Sequence, residues 1–314
     1  MRNKLITRIS NGLGNQMFLY ATAYTLAKKE NYDLFLDIYT GINHDIEKNK
    51  KKRFKHYNPK YELDVFNLSA NILNKYSQFE TKLNYIRRKI YILLDKLRIN
   101  KSFIFEKKNI DNNFFYSKPV INLSSFKDLY IEGYFECEKY FIDYRSDILK
   151  EFSFKNKINF NKKYYNDIIN SNSVSLAFRS DRFTERYSDD LSIDKINKTK
   201  NFDDKQFEFI INSINFFKQK ISNPRFFLFS DNFDNLESKF VNIPNIIFVK
   251  NFLSNKVLED FFLMSICKNY AVAPTSFHWW SAWLNNNPDK ICLRPRNINP
   301  SSNIDFWPDN WIKI

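Results

Sequence analysis

The sequence predicts an α/β protein built from two Rossmann-like halves facing a cleft. Three observations lead there. The chain has 314 residues, about twice the ~150 of an average domain. Its opening reads strand, turn, helix, strand, the βαβ unit of a parallel sheet. The alternation of strands and helices then lapses in a polar stretch at 154–164 and resumes beyond it, which makes that stretch the expected linker.

Each element has its own signal. Residues 5–10 alternate apolar and polar side chains, and Asn11-Gly12-Leu13-Gly14-Asn15-Gln16 is a turn signal. A helix is expected over 17–29, where Met17, Tyr20, Ala21 and Tyr24 follow helical spacing, and a strand over 33–38. Residues 70–100 read as a long basic helical stretch, 129–133 as a strand and 139–152 as mixed helix and loop. In the second half, strands are expected at 174–178, 225–229, 245–249, 270–273 and 291–293, with helices at 204–219, 257–268 and 277–284. The two halves are therefore 1–155 and 156–314.

Composition excludes several classes. With 43% hydrophobic and 18% aromatic residues, the chain can bury a sizeable core and is not a disordered segment. No apolar run nears the ~20 residues of a membrane span, and the first residues carry no signal-peptide pattern. Three cysteines without close spacing argue against a disulfide framework or zinc module and suit a reducing cytoplasm. Three histidines show no metal-ligand spacing. The net charge of +14 is spread along the chain, with one local run, Lys-Asn-Lys-Lys-Lys-Arg at 48–53. That run reads first as a solvated loop and second as a contact for an anionic membrane surface or substrate. Nucleic acid is not an expected partner, because no recognition motif accompanies the charge.

Four stretches carry candidate chemistry. The Gly12–Gly14 turn opens a helix after a strand, where backbone N–H groups attract anions. It lacks the third glycine of a dinucleotide fingerprint, that position being Met17. Val174-Ser175-Leu176-Ala177-Phe178-Arg179-Ser180-Asp181-Arg182 ends a buried strand in arginines, which suit a diphosphate; a surface ion pair is the plainer alternative. Phe229-Ser230-Asp231-Asn232 ends another strand at the same rim. Thr275-Ser276-Phe277-His278-Trp279-Trp280-Ser281-Ala282-Trp283 brings three tryptophans into five residues, best read as core. No Asp-x-Asp occurs, so a metal-independent site is expected, with a leaving diphosphate neutralised by arginine and helix dipoles.

Taken in order, these stretches resemble glycosyltransferase family 11, the α-1,2-fucosyltransferases. Gly12-Leu13-Gly14-Asn15-Gln16-Met17-Phe18-Leu19-Tyr20-Ala21 is similar to the family's opening motif, and Gly133-Tyr134-Phe135-Glu136-Cys137-Glu138-Lys139-Tyr140-Phe141 to a second. Phe229-Ser230-Asp231-Asn232, the 259–267 stretch, the tryptophan block and Trp307-Pro308-Asp309-Asn310-Trp311 resemble the rest. The family's His-x-Arg-Arg-x-Asp motif departs: its first arginine is Arg179, but Ala177 replaces the histidine, Ser180 replaces the second arginine, and Asp181 aligns only with a gap.

The resemblance implies a GT-B-like fold, with an acceptor-side domain at 1–155 and a donor domain at 156–314. It implies inverting transfer of L-fucose from GDP-fucose to a galactose-containing glycan, without metal, in surface polysaccharide or lipopolysaccharide assembly. Arg179 and Asp181 would be catalytic, and Gly12, Gly14, Asn15, Gln16, Asp231, Thr275, Ser276 and Phe277 would bind the donor. The expected location is the cytoplasm, at the inner face of the membrane if residues 48–53 touch it. Asp181, Glu185 and Asp37 are the candidate general bases. A changed donor or acceptor, or an inactive nucleotide- or sugar-binding relative, are the alternatives that the altered arginine motif keeps open.

Overall fold

The structure is a computed structural model. It describes residues 2–52, 59–74, 82–97, 102–118, 128–180, 183, 192–234, 236–250, 256–299 and 301–314, with the side chains of 48–52, 82, 84, 85, 95 and 96 left undescribed. The chain divides into two compact units, Met1–Lys155 with Ser301–Phe306, and Asn156–Pro300 with Trp307–Ile314. The short return of 301–306 to the first unit is a feature that a single cut at 155/156 does not represent.

The first unit runs β1 (Lys4–Arg8), α1 (Leu13–Glu30), β2 (Asp33–Asp37), α2 (Thr40–Lys52), β3 (Asn71–Ile72), α3 (Lys82–Lys96), β4 (Phe103–Phe105), β5 (Leu129–Glu132) and α4 (Arg145–Glu151). Its sheet has the order β3-β2-β1-β5-β4, and every pairing in it is parallel. Helix α1 is buried almost all round, from Leu13 to Ala27, which is why its sequence is apolar on most faces rather than along one stripe. Inside it, the Tyr20 hydroxyl donates to Glu151, whose carboxylate also accepts the Ser69 N–H at 2.7 Å. Gly41 is required where it stands: a Cβ there would lie 2.0 Å from the Ile9 carbonyl oxygen, so α2 can approach the end of β1 only without a side chain.

The second unit runs α5 (Lys162–Ile169), β6 (Asn172–Phe178), α6 (Ile193–Lys220), β7 (Pro224–Ser230), α7 (Leu236–Phe240), β8 (Ile246–Phe248), α8 (Lys256–Ser265), β9 (Asn269–Ala271), α9 (Ser276–Leu284), β10 (Cys292–Arg294) and β11 (Ile312–Lys313). The sheet order is β11-β10-β9-β6-β7-β8, again parallel throughout. Val174, Leu176 and Phe178 of β6 and Phe226 and Leu228 of β7 pack with Ile210, Ile214 and Phe217 of α6. Near-continuous apolar strands of this kind are what a parallel sheet covered on both faces demands. The tryptophan block is core: Trp279 and Trp280 are fully buried, and Trp279 stacks on Trp283 at 6.0 Å and meets Trp311 at 5.6 Å. The three cysteines are buried, and none of them forms a disulfide.

Two Rossmann-like α/β units, the domain composition of a GT-B-like protein, are therefore present as expected. Several expected elements differ in detail. Residues 48–52 are not a solvated loop but the C-terminal turns of α2. Lysines are fair helix formers, and positive charge suits a helix C-terminus. Arg53 lies outside the described residues. Helix α1 begins at Leu13, not Met17, so Gly14, Asn15 and Gln16 lie in its first turn rather than in a loop. Helix α6 begins at Ile193, eleven residues before the expected 204, because its polar first half has no apolar period; a Lys198–Asp194 pair at 2.8 Å spans one turn there. The expected basic helix at 70–100 is β3 followed by α3 in its described parts. Strands β4 and β11 were not expected from the sequence.

Candidate functional site

In each unit the sequence motifs converge on one point of the sheet. Strand order reverses direction between β1 and β5 in the first unit and between β6 and β9 in the second. In open parallel sheets, ligands bind beyond the C-terminal ends of the strands at such a reversal, where the flanking loops part.

In the second unit, β6 delivers Arg179 and β7 delivers Asp231. Asp231 receives the Ser180 N–H at 2.9 Å and an Arg179 guanidinium nitrogen, so it fixes both the loop and the fork. Gln206 of α6 brackets the same residue: its amide oxygen accepts the Arg179 N–H at 3.1 Å, and its amide nitrogen donates to the Arg179 carbonyl at 2.9 Å. Ser180, where the family motif has a second arginine, donates its hydroxyl to the Asn232 carbonyl at 3.1 Å. Asp181, Arg182 and Glu185 lie outside the described residues. Across the reversal, β9 leads into α9. Thr275 is its N-cap, with Oγ1 accepting the His278 N–H at 3.2 Å. Ser276 and Phe277 open the helix, half-buried, and Phe277 packs edge-on to Phe261 at 5.0 Å.

His278 is the unexpected member. It is 9% exposed, and its Nδ1 makes no hydrogen bond among the described residues. Burial, and then the nearby Arg179 charge, push its pKa down from 6.5 to about 3. Ala177, buried in β6, stands where the family motif has a histidine. An imidazole near enough to feel the Arg179 charge is that of His278, in α9. The pKa shift has a consequence for stability. Below pH 6.5 the unfolded chain binds a proton at His278 that the folded chain refuses until about pH 3, so stability falls with pH across that window. The slope is about 1.4 kcal/mol per pH unit from this group. Urea melts of the protein and of His278→Gln between pH 7 and pH 4 should show a shallower fall in the variant; identical slopes would contradict the assignment.

In the first unit, the turn after β1 is held by carboxylates. Asn11, not a glycine, takes the left-handed conformation (φ 63°), while Gly12 is extended at φ −81° and ψ 175°. The Asn11 N–H donates to Asp45 at 2.7 Å, the Asn15 amide donates to Glu136 at 3.0 Å, and the Leu13 N–H donates to Glu62. Burial raises the Glu62 pKa, against that N–H bond. A Cβ at Gly12 would lie 3.8 Å from Glu62 Oε2, an ordinary contact. The helix N-terminus expected to attract an anion is therefore already served by a carboxylate. Three carboxylates lie around the turn, with Lys60 acting on Glu62, and their negative charge weakens the attraction of the turn for an anion. Gln16 is fully buried and spent on the backbone: Nε2 donates to the Asn11 and Lys60 carbonyls at 2.7 and 2.8 Å, and Oε1 accepts the Glu62 N–H at 2.9 Å. Gly14 is buried in the first turn of α1. The Gln16 side chain is thus committed to the backbone, and Gly14 brings no side chain to the turn.

Asp37 cannot serve as a general base. It is fully buried, and its oxygens accept the N–H groups of Tyr39 and Thr40 at 3.1 and 2.8 Å, the Thr40 hydroxyl at 2.5 Å and the Tyr130 hydroxyl at 2.6 Å. Its work is to cap α2. Glu62, Asp45 and Gln206 were not expected from the sequence. Glu62 sits 46 positions from Gln16, and no local pattern links the two. Among the described residues, no group of three or more His, Cys, Asp or Glu side chains is placed to hold a metal ion.

The chain is similar to known proteins along nearly its whole length. Over 319 residues it is 26% identical to an alpha-1,2-colitosyltransferase of Escherichia coli, covering 99% of this chain and 98% of that protein. It is 28% identical over 323 residues to the O-antigen biosynthesis glycosyltransferase WbnK of Escherichia coli, covering 98% and 99%. Among solved structures, the fucosyltransferase NodZ from Bradyrhizobium is similar at 12% identity and TM-score 0.48, over 90% of this chain and 92% of that one. A mutant of Arabidopsis thaliana FUT1, solved in complex with GDP, is similar at 12% identity and TM-score 0.46, over 95% and 71%. The family model for glycosyl transferase family 11 matches residues 4–314, which takes in both strand-order reversals and every motif gathered at them, and so this chain is a glycosyltransferase belonging to glycosyl transferase family 11.

Proposed function

We propose that this glycosyltransferase moves L-fucose from GDP-fucose to a hydroxyl of a galactose-containing glycan, with inversion and without a metal ion, in assembly of a lipopolysaccharide O-antigen. The observation that carries the reading is that Arg179, held by Asp231 and Gln206, and the N-terminus of α9 follow the C-terminal ends of the neighbouring strands β6 and β9, at one strand-order reversal. A guanidinium fork and a helix N-terminus are two preorganised sources of positive potential. Placed beside a diphosphate, they would stabilise the charge that builds on GDP as the glycosidic bond breaks. Asp231, Thr275, Ser276 and Phe277 belong to this donor side in the second unit. The first unit, with its carboxylate-rich turn at Gly12 and Asn15, would be the acceptor side.

Inversion requires the acceptor oxygen to attack from the face opposite the diphosphate and to lose its proton. Glu62 is the base we favour, because it lies against Gly12, which has no side chain, and its burial keeps it more basic than an exposed carboxylate. The O-antigen setting is supported by WbnK, named for that process. The name of the other Escherichia coli relative favours a second reading, in which the donor sugar is colitose, which is fucose without its 3-hydroxyl.

Calorimetric titration in excess EDTA with GDP, GDP-fucose, GDP-colitose, GDP-mannose and UDP-galactose separates these readings. Binding of GDP and preference for GDP-fucose is the expected result. Preference for GDP-colitose would select the second reading, and binding of UDP-galactose alone would overturn both. Turnover should persist in EDTA, and loss restored by Mg²⁺ or Mn²⁺ would end the metal-free mechanism.

A further inference from the structure

Helix α3 is fastened to the first unit along one side. Arg88 donates from Nε to Glu132 Oε1 at 2.7 Å and pairs through its second nitrogen with Oε2, and Ile92 packs with Phe103 and Tyr130. At 100° per residue, Arg88 and Ile92 lie about 40° apart on the helix. The opposite side carries Leu83, Ile86, Ile90, Leu93 and Leu97, exposed by 79, 54, 50, 56 and 59%. Leu97 continues the last turn through its N–H to the Leu93 carbonyl at 3.0 Å. The five follow i+3, i+4, i+3, i+4 spacing and fall within an arc of about 80°. Exposed Arg87 borders one edge of that arc and Lys89 the other, each about 40° outside it. The helix sequence holds five basic residues and one acidic residue, Asp95.

Soluble surfaces rarely carry an aliphatic stripe of this length in water. Its pattern, a narrow apolar face bordered by cationic side chains on a helix of low mean hydropathy, is that of a helix lying in the plane of a membrane interface. Among the described residues no helix is long and apolar enough to cross a membrane, so a surface contact is the mode open to α3. Charge selects the partner. The cationic borders and a chain charge of +14 complement anionic headgroups, each Lys or Arg near such a surface adding a favourable interaction. We propose that α3 docks flat on an anionic lipid bilayer, its five aliphatic side chains at the acyl–headgroup boundary and Arg87 and Lys89 at the lipid phosphates. The proposal does not depend on which sugar is transferred.

Vesicle flotation with the full-length chain tests it. The protein should float with vesicles of phosphatidylglycerol and phosphatidylethanolamine. Binding should fall roughly tenfold or more with phosphatidylcholine alone, or in about 1 M salt, where the screening length is about 3 Å. The triple variant Ile86→Ser, Ile90→Ser, Leu93→Ser should lose binding by at least about tenfold while keeping its circular dichroism melt, since these side chains face solvent. Arg87→Glu with Lys89→Glu should lose the preference for anionic vesicles. A wild-type protein that stays in the soluble fraction, or a triple variant that floats unchanged, would overturn the docking. So would a dimer in sedimentation velocity that the triple variant converts to monomer, because a second copy would then cover the stripe.

Discussion

Arg179→Ala should lower kcat by roughly two to three orders of magnitude, the usual cost of removing one preorganised group that stabilises developing charge. The fold should survive. The Arg179 side chain is 29% exposed, and partly exposed ion pairs such as the one it makes with Asp231 contribute about 0–1 kcal/mol. The Ser180 N–H still reaches Asp231, and the Gln206 bonds go to the Arg179 backbone, so the loop keeps its anchors after the side chain is cut. A steady-state assay with GDP-fucose and a galactoside, run beside a thermal melt, reads both effects. Arg179→Lys keeps charge but not the fork and should fall between the two. His278 supplies an independent readout: the Arg179 charge helps hold its pKa down, so its titration by NMR should move upward in Arg179→Ala while burial keeps it below 6.5. Near-normal kcat in the alanine variant would remove Arg179 from the donor site.

What the sequence made legible is what local pattern can carry. Strands β6 and β7 are apolar runs, and their polar ends, Arg179 and Asp231, announce themselves as strand-end residues. The turn after β1 was visible for the same reason. Its chemistry was not. Glycine suggested an anion cradle, but the charge at that turn is set by Asp45, Glu62 and Glu136, brought from elsewhere in the chain. Charge supplied by partners distant in sequence leaves no periodic trace. The same holds for the altered arginine motif. Read along the chain, Ala177 is a lost histidine. In three dimensions an imidazole stands near Arg179 all the same, delivered by His278 in the first turn of α9. Asp37 shows the converse error: a carboxylate at a strand end reads as a candidate base until its four hydrogen-bond donors are counted.

Glu62→Gln should lower kcat by roughly 10²- to 10⁴-fold, the span that general base catalysis commonly contributes. The substitution is chosen because glutamine retains an oxygen for the Leu13 N–H, so α1 keeps its cap and the turn its shape. The wild-type pH profile should carry the same residue's signature. A base must be ionised to act, and burial raises the Glu62 pKa above its ordinary 4.5, so kcat/KM should climb with pH along an acid limb that lies above that value. In Glu62→Gln the limb should vanish and the residual rate should be flat through the same range. Asp45→Asn and Glu136→Gln, in contrast, disturb carboxylates that hold Asn11 and Asn15. Loss there should appear mainly in KM for the acceptor, with the acid limb intact. If Glu62→Gln keeps both its rate and its limb, the proton leaves by another route. If it keeps the limb but loses rate, Glu62 positions the acceptor and the base is a different group.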